Sequence, residues 1–390
     1  MRLIHVTPTY LPAVRYGGPI VAVHGLCAAL AQRGHQVEVF TTSIDGDGNS
    51  DVPLGTPVMR DGVQVRYFAS PALRRLSWAP GLGAALRDAI PAADIVHLHS
   101  VFLWPTAVAG RLARRSGKPY VVSPRGMLVD RLIARRHRLL KQAWLALIEQ
   151  RNLESAAAIH ATSATEAAEL GKFGLGLPGI VAIPNGAAEV EAEPIPRPPE
   201  DLAGLAAMRP LLLAFGRLSW TKRLDEVIEA FAATRCGALA IVGTDDEGLA
   251  PSLRAQAEAA RLGSRFHLVP RTVTGEEKEF VFAAADAFVM ASLSESFGNA
   301  GVEAMQRGLP VIAAAATGIA ELVAESGGGI VVDNSAAALT AAMDTLTGDS
   351  ELTAQLGRAA RDYVERCCRW ATVAARMEAL YESVLTVPRQ

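Results

Sequence analysis

Two short segments in the second half of the chain carry side chains that could handle a phosphorylated ligand. The first is Phe215-Gly216-Arg217-Leu-Ser-Trp-Thr-Lys222. It follows an apolar strand pattern and leads into a helical one. Gly216 permits a sharp turn, and Arg217 and Lys222 place two fixed positive charges at a strand end. A diphosphate needs such charges, most of all as it departs with extra negative charge. The second is Ser294-Glu295-Ser296-Phe297-Gly298-Asn299-Ala300-Gly-Val-Glu303. Its loop opens a helix predicted over 299–307, so the first-turn N–H groups of Gly298, Asn299 and Ala300 form an end that attracts phosphate. Glu303 lies about one turn further in, able to accept hydrogen bonds from ribose hydroxyls, while Glu295 can reach a sugar. Alone, the two glutamates would read equally well as a solvated pair beside an ordinary helix.

The first half offers fewer motifs. Gly17-Gly18 precedes Pro19 and a helix predicted over 19–33, Pro being suited to a first turn. Ser123-Pro-Arg125-Gly-Met127 follows a strand, and Asn185 sits in Ile183-Pro-Asn-Gly186. His97 and His99 share one strand face by period two. No third ligand stands near them in sequence, and two ligands make an incomplete metal site. His160 reads as a buried, satisfied histidine, Trp370 as core packing, and Thr162, Ser163 and Glu166 as a helix start.

The elements that must position these residues alternate strand and helix. Strands are predicted at 2–6, 36–42, 94–99, 119–123, 158–161 and 180–183, then at 211–215, 238–242, 266–268, 287–291, 310–314 and 329–332. This is the pattern of two successive doubly wound parallel sheets. A proline- and acid-rich stretch at 189–209 reads as an extended linker. The predicted domains are therefore 1–188 and 210–368, followed by a helix at 369–390. Ligands in such sheets bind beyond the carboxyl ends of the strands, here in a central cleft.

Composition fits this outline. Of 390 residues, 50% are hydrophobic and 20% charged, suiting two globular domains. The four cysteines, Cys27, Cys236, Cys367 and Cys368, form no Cys-x-x-Cys pair and suit a reducing compartment. The start reads as a strand rather than a signal peptide, and no apolar run reaches membrane-spanning length. Residues 1–190 carry 20 basic and 13 acidic side chains, the remainder 18 and 27. Much of the excess lies in 131–144, where arginines alternate with an apolar stripe. That combination suits an anionic membrane surface. No reader motif accompanies the charge, which argues against nucleic acid.

Gly-Arg-x-x-x-x-Lys followed by Glu, seven residues and Glu, on this framework, resembles the retaining family-four glycosyltransferases of the GT-B fold. Ile183-Pro-Asn-Gly186 and Thr317-Gly-Ile-Ala-Glu321 match as well. The resemblance covers essentially the whole chain. It implies a hexosyltransferase that moves a sugar with retention from a nucleotide-diphosphate sugar of UDP or GDP type, without a bound metal, onto a glycan or polyprenyl-linked acceptor. Arg217 and Lys222 would bind the diphosphate, Glu295 would position the sugar, and Glu303 would hold the ribose. Gly216, Phe297, Gly298, Asn299 and Ala300 would complete the donor site with Gly17 and Gly18. The final helix would cross back to the first domain, with His99 and Asn185 on the acceptor side.

Arg125 stands where many relatives carry a histidine. It cannot act as a neutral imidazole or a base, but it could stabilise phosphate or acceptor charge. A Pro-Arg-Gly-Met run before a basic helix is similar to enzymes of bacterial polysaccharide synthesis, and implies a cytoplasmic enzyme peripheral to the inner membrane face. Pro270-Arg271 replaces a common Leu-Gly in the base-binding loop. A non-catalytic nucleotide-sugar-binding partner, or an epimerase or phosphorylase of the same fold, would fit many of the same residues.

Overall fold

Uninterrupted apolar runs such as Leu211–Phe215 and Ala238–Val242 suit strands covered on both faces, and both are strands. A computed structural model of the chain describes residues 1–13, 17–130, 133, 138–187 and 198–386. The chain forms two compact units, one of Met1–Gly186 with Trp370–Gln390 and one of Ala187–Arg369.

The strands of the first unit are β1 (Arg2–Val6), β2 (Gln36–Thr42), β5 (Pro57–Arg60), β6 (Val63–Phe68), β7 (Ile95–His99), β8 (Tyr120–Ser123), β9 (Ala158–Ala161) and β10 (Ile180–Ala182). A two-residue hairpin, β3 (Ile44–Asp45) and β4 (Gly48–Asn49), lies apart. The sheet order is β10-β9-β8-β7-β1-β2-β6-β5, parallel throughout except at the β5–β6 edge. That hairpin was not foreseen, although Asp61-Gly62 signals it. Both residues adopt positive φ (47° and 79°), as the favoured tight hairpin turns require.

Side chains alternate between the two faces of this sheet. Ile4, Val96, Leu98, Val122 and Ile159 pack on one side with Leu82, Leu86 and Ala109. Leu3, Val37, Ile95, Val121 and Ala158 pack on the other, under Leu26 and Leu30 of helix Gly18–Gln32 and Met377 and Tyr381 of helix Trp370–Thr386. Each fully buried Leu or Val contributes about 1.5–3 kcal/mol. Trp370 packs against the same cluster. Its ring lies so close to Gly186 that no Cβ fits between them.

The second unit contains β11 (Leu211–Phe215), β12 (Ala238–Val242), β13 (Phe266–Val269), β14 (Ala287–Met290), β15 (Val311–Ala314) and β16 (Gly329–Val332). They run parallel in the order β13-β12-β11-β14-β15-β16. Its two faces bury separate clusters, one around Leu213, Val242, Phe288 and Val311, the other around Leu212, Ile241, Val289 and Ile312. The span read as an extended linker is partly ordered. Residues 189–197 lie outside the described residues, but Glu200–Ala203 is helical and Gly204–Ala207 forms a 3₁₀ turn. Leu202 and Leu205 anchor these turns in the core, a burial that outweighs the extended preference of the prolines before them.

In both sheets the strand order reverses beside the first strand, at β1/β7 and at β11/β14. Such switch points open a crevice at the carboxyl ends of the strands.

Candidate active site

In the second unit the switch point brings the Gly216–Lys222 and Glu295–Glu303 segments together. The loop after β11 closes in a 3₁₀ turn, Trp220–Lys222, whose cap Ser219 accepts from the Thr221 N–H. The Glu247 carboxylate braces that turn, accepting from Ser219 Oγ (2.9 Å) and the Trp220 N–H (3.2 Å). The Leu293 N–H donates to the Thr221 carbonyl at 2.8 Å, joining this loop to the one after β14. Lys222 Nζ donates to the Glu295 carboxylate, forming an ion pair. Arg217 is exposed and has no carboxylate partner among the described residues. A cavity at this strand end is lined by Gly216, Arg217, Lys222, Met290 and Ser292, among others. The buried Ser292 hydroxyl has no hydrogen-bond partner among the described residues.

Gly298 caps helix Asn299–Gln306 with φ 93°. A Cβ there would lie 2.9 Å from Ile319 Cβ, so the turn admits glycine for both its φ and its close packing. Glu303, on that helix, is half-buried and pairs with Lys278 Nζ at 2.8 Å. Lys278 was not foreseen, because it lies on helix Gly275–Ala284 and no spacing links it to Glu303. Phe297 differs from its expected place in the donor site: its ring is buried in the core, where it sets the position of the loop. Arg271, in the segment that departs from relatives, is held by Asp201 (2.7 and 3.0 Å) and Glu277 (2.6 Å).

The first unit's switch point holds a buried polar network. Register places His5 opposite His97 across β1 and β7, and His99 opposite Ser123 across β7 and β8. His5, His97, His99 and His160 are all buried. Burial, with the nearby Arg125 charge, pushes His5 and His160 down to about 3. Burial and the neighbouring imidazoles push His97 and His99 well below the usual value. The rings are therefore neutral, and their partners fix the tautomers. The Ile183 carbonyl can only accept, so His160 Nε2 donates to it (2.9 Å) and its Nδ1 accepts from Ser123 Oγ (2.7 Å). Ser123 Oγ then accepts from His97 Nε2 (2.6 Å), and His97 Nδ1 accepts from the Tyr381 hydroxyl (2.6 Å).

A second chain starts at Arg125, which can only donate. Its Nη2 donates to His99 Nδ1 (3.3 Å), and His99 Nε2 donates to His5 Nδ1 (2.9 Å). The buried His5 Nε2–H is left with no partner among the described residues. Arg125 Nη1 donates to Asn185 Oδ1 at 2.6 Å. The loop that carries Arg125 is pinned from behind by Glu166, which accepts from the Gly126 N–H (2.6 Å), the Thr162 N–H (2.7 Å) and the Thr162 hydroxyl (2.6 Å). Ser163 caps helix Ala164–Gly171, as its sequence position indicated. Gly17 caps helix Gly18–Gln32 with φ 75°.

The third imidazole missing from the neighbourhood of His97 and His99 in sequence is thus supplied by β1. Nitrogens of His5, His97 and His99 all lie within 4.8 Å of one another. Each ring's bare nitrogen already accepts a hydrogen bond, and the Arg125 charge stands alongside, an arrangement that disfavours a cation.

Comparison with known proteins decides the class. Residues 17–186 match the family described as "Glycosyl transferase 4-like domain", and residues 203–363 match "Glycosyl transferases group 1". The chain is a glycosyltransferase of the GT-B fold. This glycosyltransferase is 28% identical to the D-inositol 3-phosphate glycosyltransferase of Streptomyces griseus, across 100% of this chain and 89% of that one. It is also 28% identical to the same-named enzyme of Paenarthrobacter aurescens, covering 99% of both chains. Its fold resembles sucrose-phosphate synthase from Thermosynechococcus elongatus (TM-score 0.76, 21% identity, 98% of this chain and 99% of that one). It also resembles Anabaena HepE, solved in complex with UDP-glucose (TM-score 0.74, 19% identity, 98% and 100%).

Proposed function

We propose that this glycosyltransferase transfers a sugar, with retention at the anomeric carbon, from a nucleoside-diphosphate sugar of UDP or GDP type to a hydroxyl of a glycan or polyprenyl-linked acceptor, without a bound metal. The donor seats on the second unit and the acceptor on the first. The observation that carries this reading is the Lys222–Glu295 pair at the β11/β14 strand ends, with Arg217 beside it and Glu303 on the adjoining helix. Without donor, Glu295 neutralises Lys222. A diphosphate takes over the lysine and frees the carboxylate for the sugar hydroxyls. Glu303 exchanges Lys278 for ribose hydroxyls in the same way.

In the reaction the bond from the anomeric carbon to the diphosphate oxygen breaks. A bond to the acceptor oxygen forms on the same face, and the acceptor proton passes to the departing phosphate. Arg217, Lys222 and the first-turn N–H groups of helix Asn299–Gln306 stabilise the charge that develops there. Anomeric configuration read by NMR on the first product tests retention, and an inverted product rejects it.

Membrane contact is part of this proposal. Leu139, Leu140 and Leu147 are 82%, 70% and 80% exposed, beside Arg138 and Lys141. Of the basic segment 131–144, residues 131, 132 and 134–137 lie outside the described residues. No helix among the described residues is long and apolar enough to cross a membrane, so surface contact is the mode proposed. Binding to anionic vesicles that weakens when Leu139 and Leu140 become Ser would support it. Equal binding by that variant would reject it.

A further inference from the structure

We propose that the first unit holds a receptor for one anionic group, a phosphate or a carboxylate, centred on Arg125, and that the acceptor substrate carries that group. The second half of this proposal rests on the transferase reading; the first half does not.

Donors outnumber acceptors around Arg125. Asn185 and His99 occupy two of the five N–H donors a guanidinium carries. The buried Arg125 Nε–H has no partner among the described residues. The chain from Nη2 through His99 and His5 ends on a second buried donor, His5 Nε2–H, again with no partner among the described residues. Both ends of the network therefore present N–H groups that no described acceptor receives, and an unsatisfied buried donor is unfavourable. A group that only accepts, such as a carboxylate or a phosphate, meets a surplus of donors without adding another, and the charge of Arg125 favours it over a neutral acceptor.

Charge points the same way. Arg125 makes no ion pair with a carboxylate among the described residues. Its contacts, an amide oxygen and a neutral imidazole, carry no charge. The carboxylate that acts on it, Glu166, already accepts from Gly126 and Thr162. Glu166 offsets the Arg125 charge without pairing with it, so an anion in direct contact with the guanidinium would gain a charge-assisted bond that no described carboxylate makes. If Arg125 served only to tie two loops together, a neutral amide could make both contacts.

The backbone supports a site rather than an accident of packing. Arg125 has φ 57°, a left-handed conformation that is unfavourable for a non-glycine residue and persists only where the surroundings enforce it. Glu166, through the Gly126 N–H, supplies the enforcement. Arg125 keeps part of its surface exposed at the carboxyl end of β8, beside the switch point where ligands bind. A guanidinium fork matches either anion in bidentate fashion.

The test uses the full chain with the donor site saturated by UDP or GDP. The Arg125 Nε–H resonance is assigned from its loss in Arg125→Lys. Inorganic phosphate, glucuronate and glucose are titrated separately, with affinities measured by calorimetry. We expect phosphate or glucuronate to move the resonance saturably while glucose does not, and the ion that binds more tightly names the source of charge. Arg125→Gln should weaken the preferred ion at least tenfold, and Arg125→Lys, which keeps the charge but loses the fork, should also weaken it. Lys222→Ala should leave the Arg125 response intact. A resonance that ignores both anions, or moves equally with glucose, overturns the proposal. So does a folded Arg125→Lys that binds the anion as tightly as wild type. If no nucleotide binds yet the resonance titrates with anions, the transferase reading fails and the anion receptor stands.

Discussion

Lowering pH from 7.5 to 5 should destabilise the first unit through its histidines more steeply than its carboxylates can account for. His5, His97, His99 and His160 are buried and neutral in the folded state, His5 and His160 pushed down to about 3. Arg125, which faces them, adds to the effect, and His97 also meets Tyr381, whose own proton is held on by burial. In the unfolded chain an imidazole titrates near its ordinary value of about 6.5. As pH falls below that, the unfolded state takes up protons that the folded state refuses. For His5 and His160 the stabilisation is therefore complete above about 6.5 and is lost progressively down to about 3. Each of these two costs about 1.4 kcal/mol per pH unit in this window, hence about 2 kcal/mol at pH 5, and His97 and His99 act in the same direction. Against a typical domain stability of roughly 5–15 kcal/mol that is a large loss. Urea unfolding at half-unit pH steps measures the slope, and His160→Gln should lower it. Histidine resonances that titrate near 6.5 in the folded protein, or an unfolding free energy flat from pH 7.5 to 5, would refute the reasoning.

Other perturbations separate chemistry from folding. Lys222→Ala should reduce turnover by about two to three orders of magnitude, as loss of one donor to a departing charge does. Its ion pair is partly exposed, so stability should change by no more than about 1 kcal/mol; urea midpoints beside turnover rates check both. Glu303→Gln should raise KM for the donor more than it lowers kcat, since the ribose is bound alike in ground and transition states. Gly186→Ala should destabilise by about 1–3 kcal/mol, because its Cβ would overlap the Trp370 ring. Calorimetric melting of that variant gives the number, and a wild-type melting temperature would contradict the packing described.

Apolar runs made the parallel strands legible, because a strand covered on both faces has little choice of residue. They gave β11 and β12 residue for residue, and β14 within one position. The β5–β6 hairpin was harder to see, since its edge strand is half-exposed and mixed in character, although Asp61-Gly62 was there to be read. The stretch around Leu202 looked like a linker because proline content is a local signal, whereas burial of Leu202 and Leu205 is set by a tertiary partner.

The candidate site divides along the same line. Residues within one motif, such as Gly298 and Glu303, were visible from spacing. Pairings between motifs were not. His5 joins His97 only through strand register, Lys278 meets Glu303 only through the packing of two helices, and Tyr381 reaches His97 from the far end of the chain. The burial of Phe297 also escaped the sequence, because an aromatic in a glycine-rich loop serves a ligand or the core equally well.

Calorimetric titration of the wild type and of Lys222→Ala with UDP, GDP and their common sugar conjugates asks whether the β11/β14 strand ends of the second unit hold a nucleoside-diphosphate sugar. Saturable binding of one nucleotide series to the wild type is expected, weakened at least tenfold in the folded variant. Binding by neither protein, or equal binding by both, would contradict it.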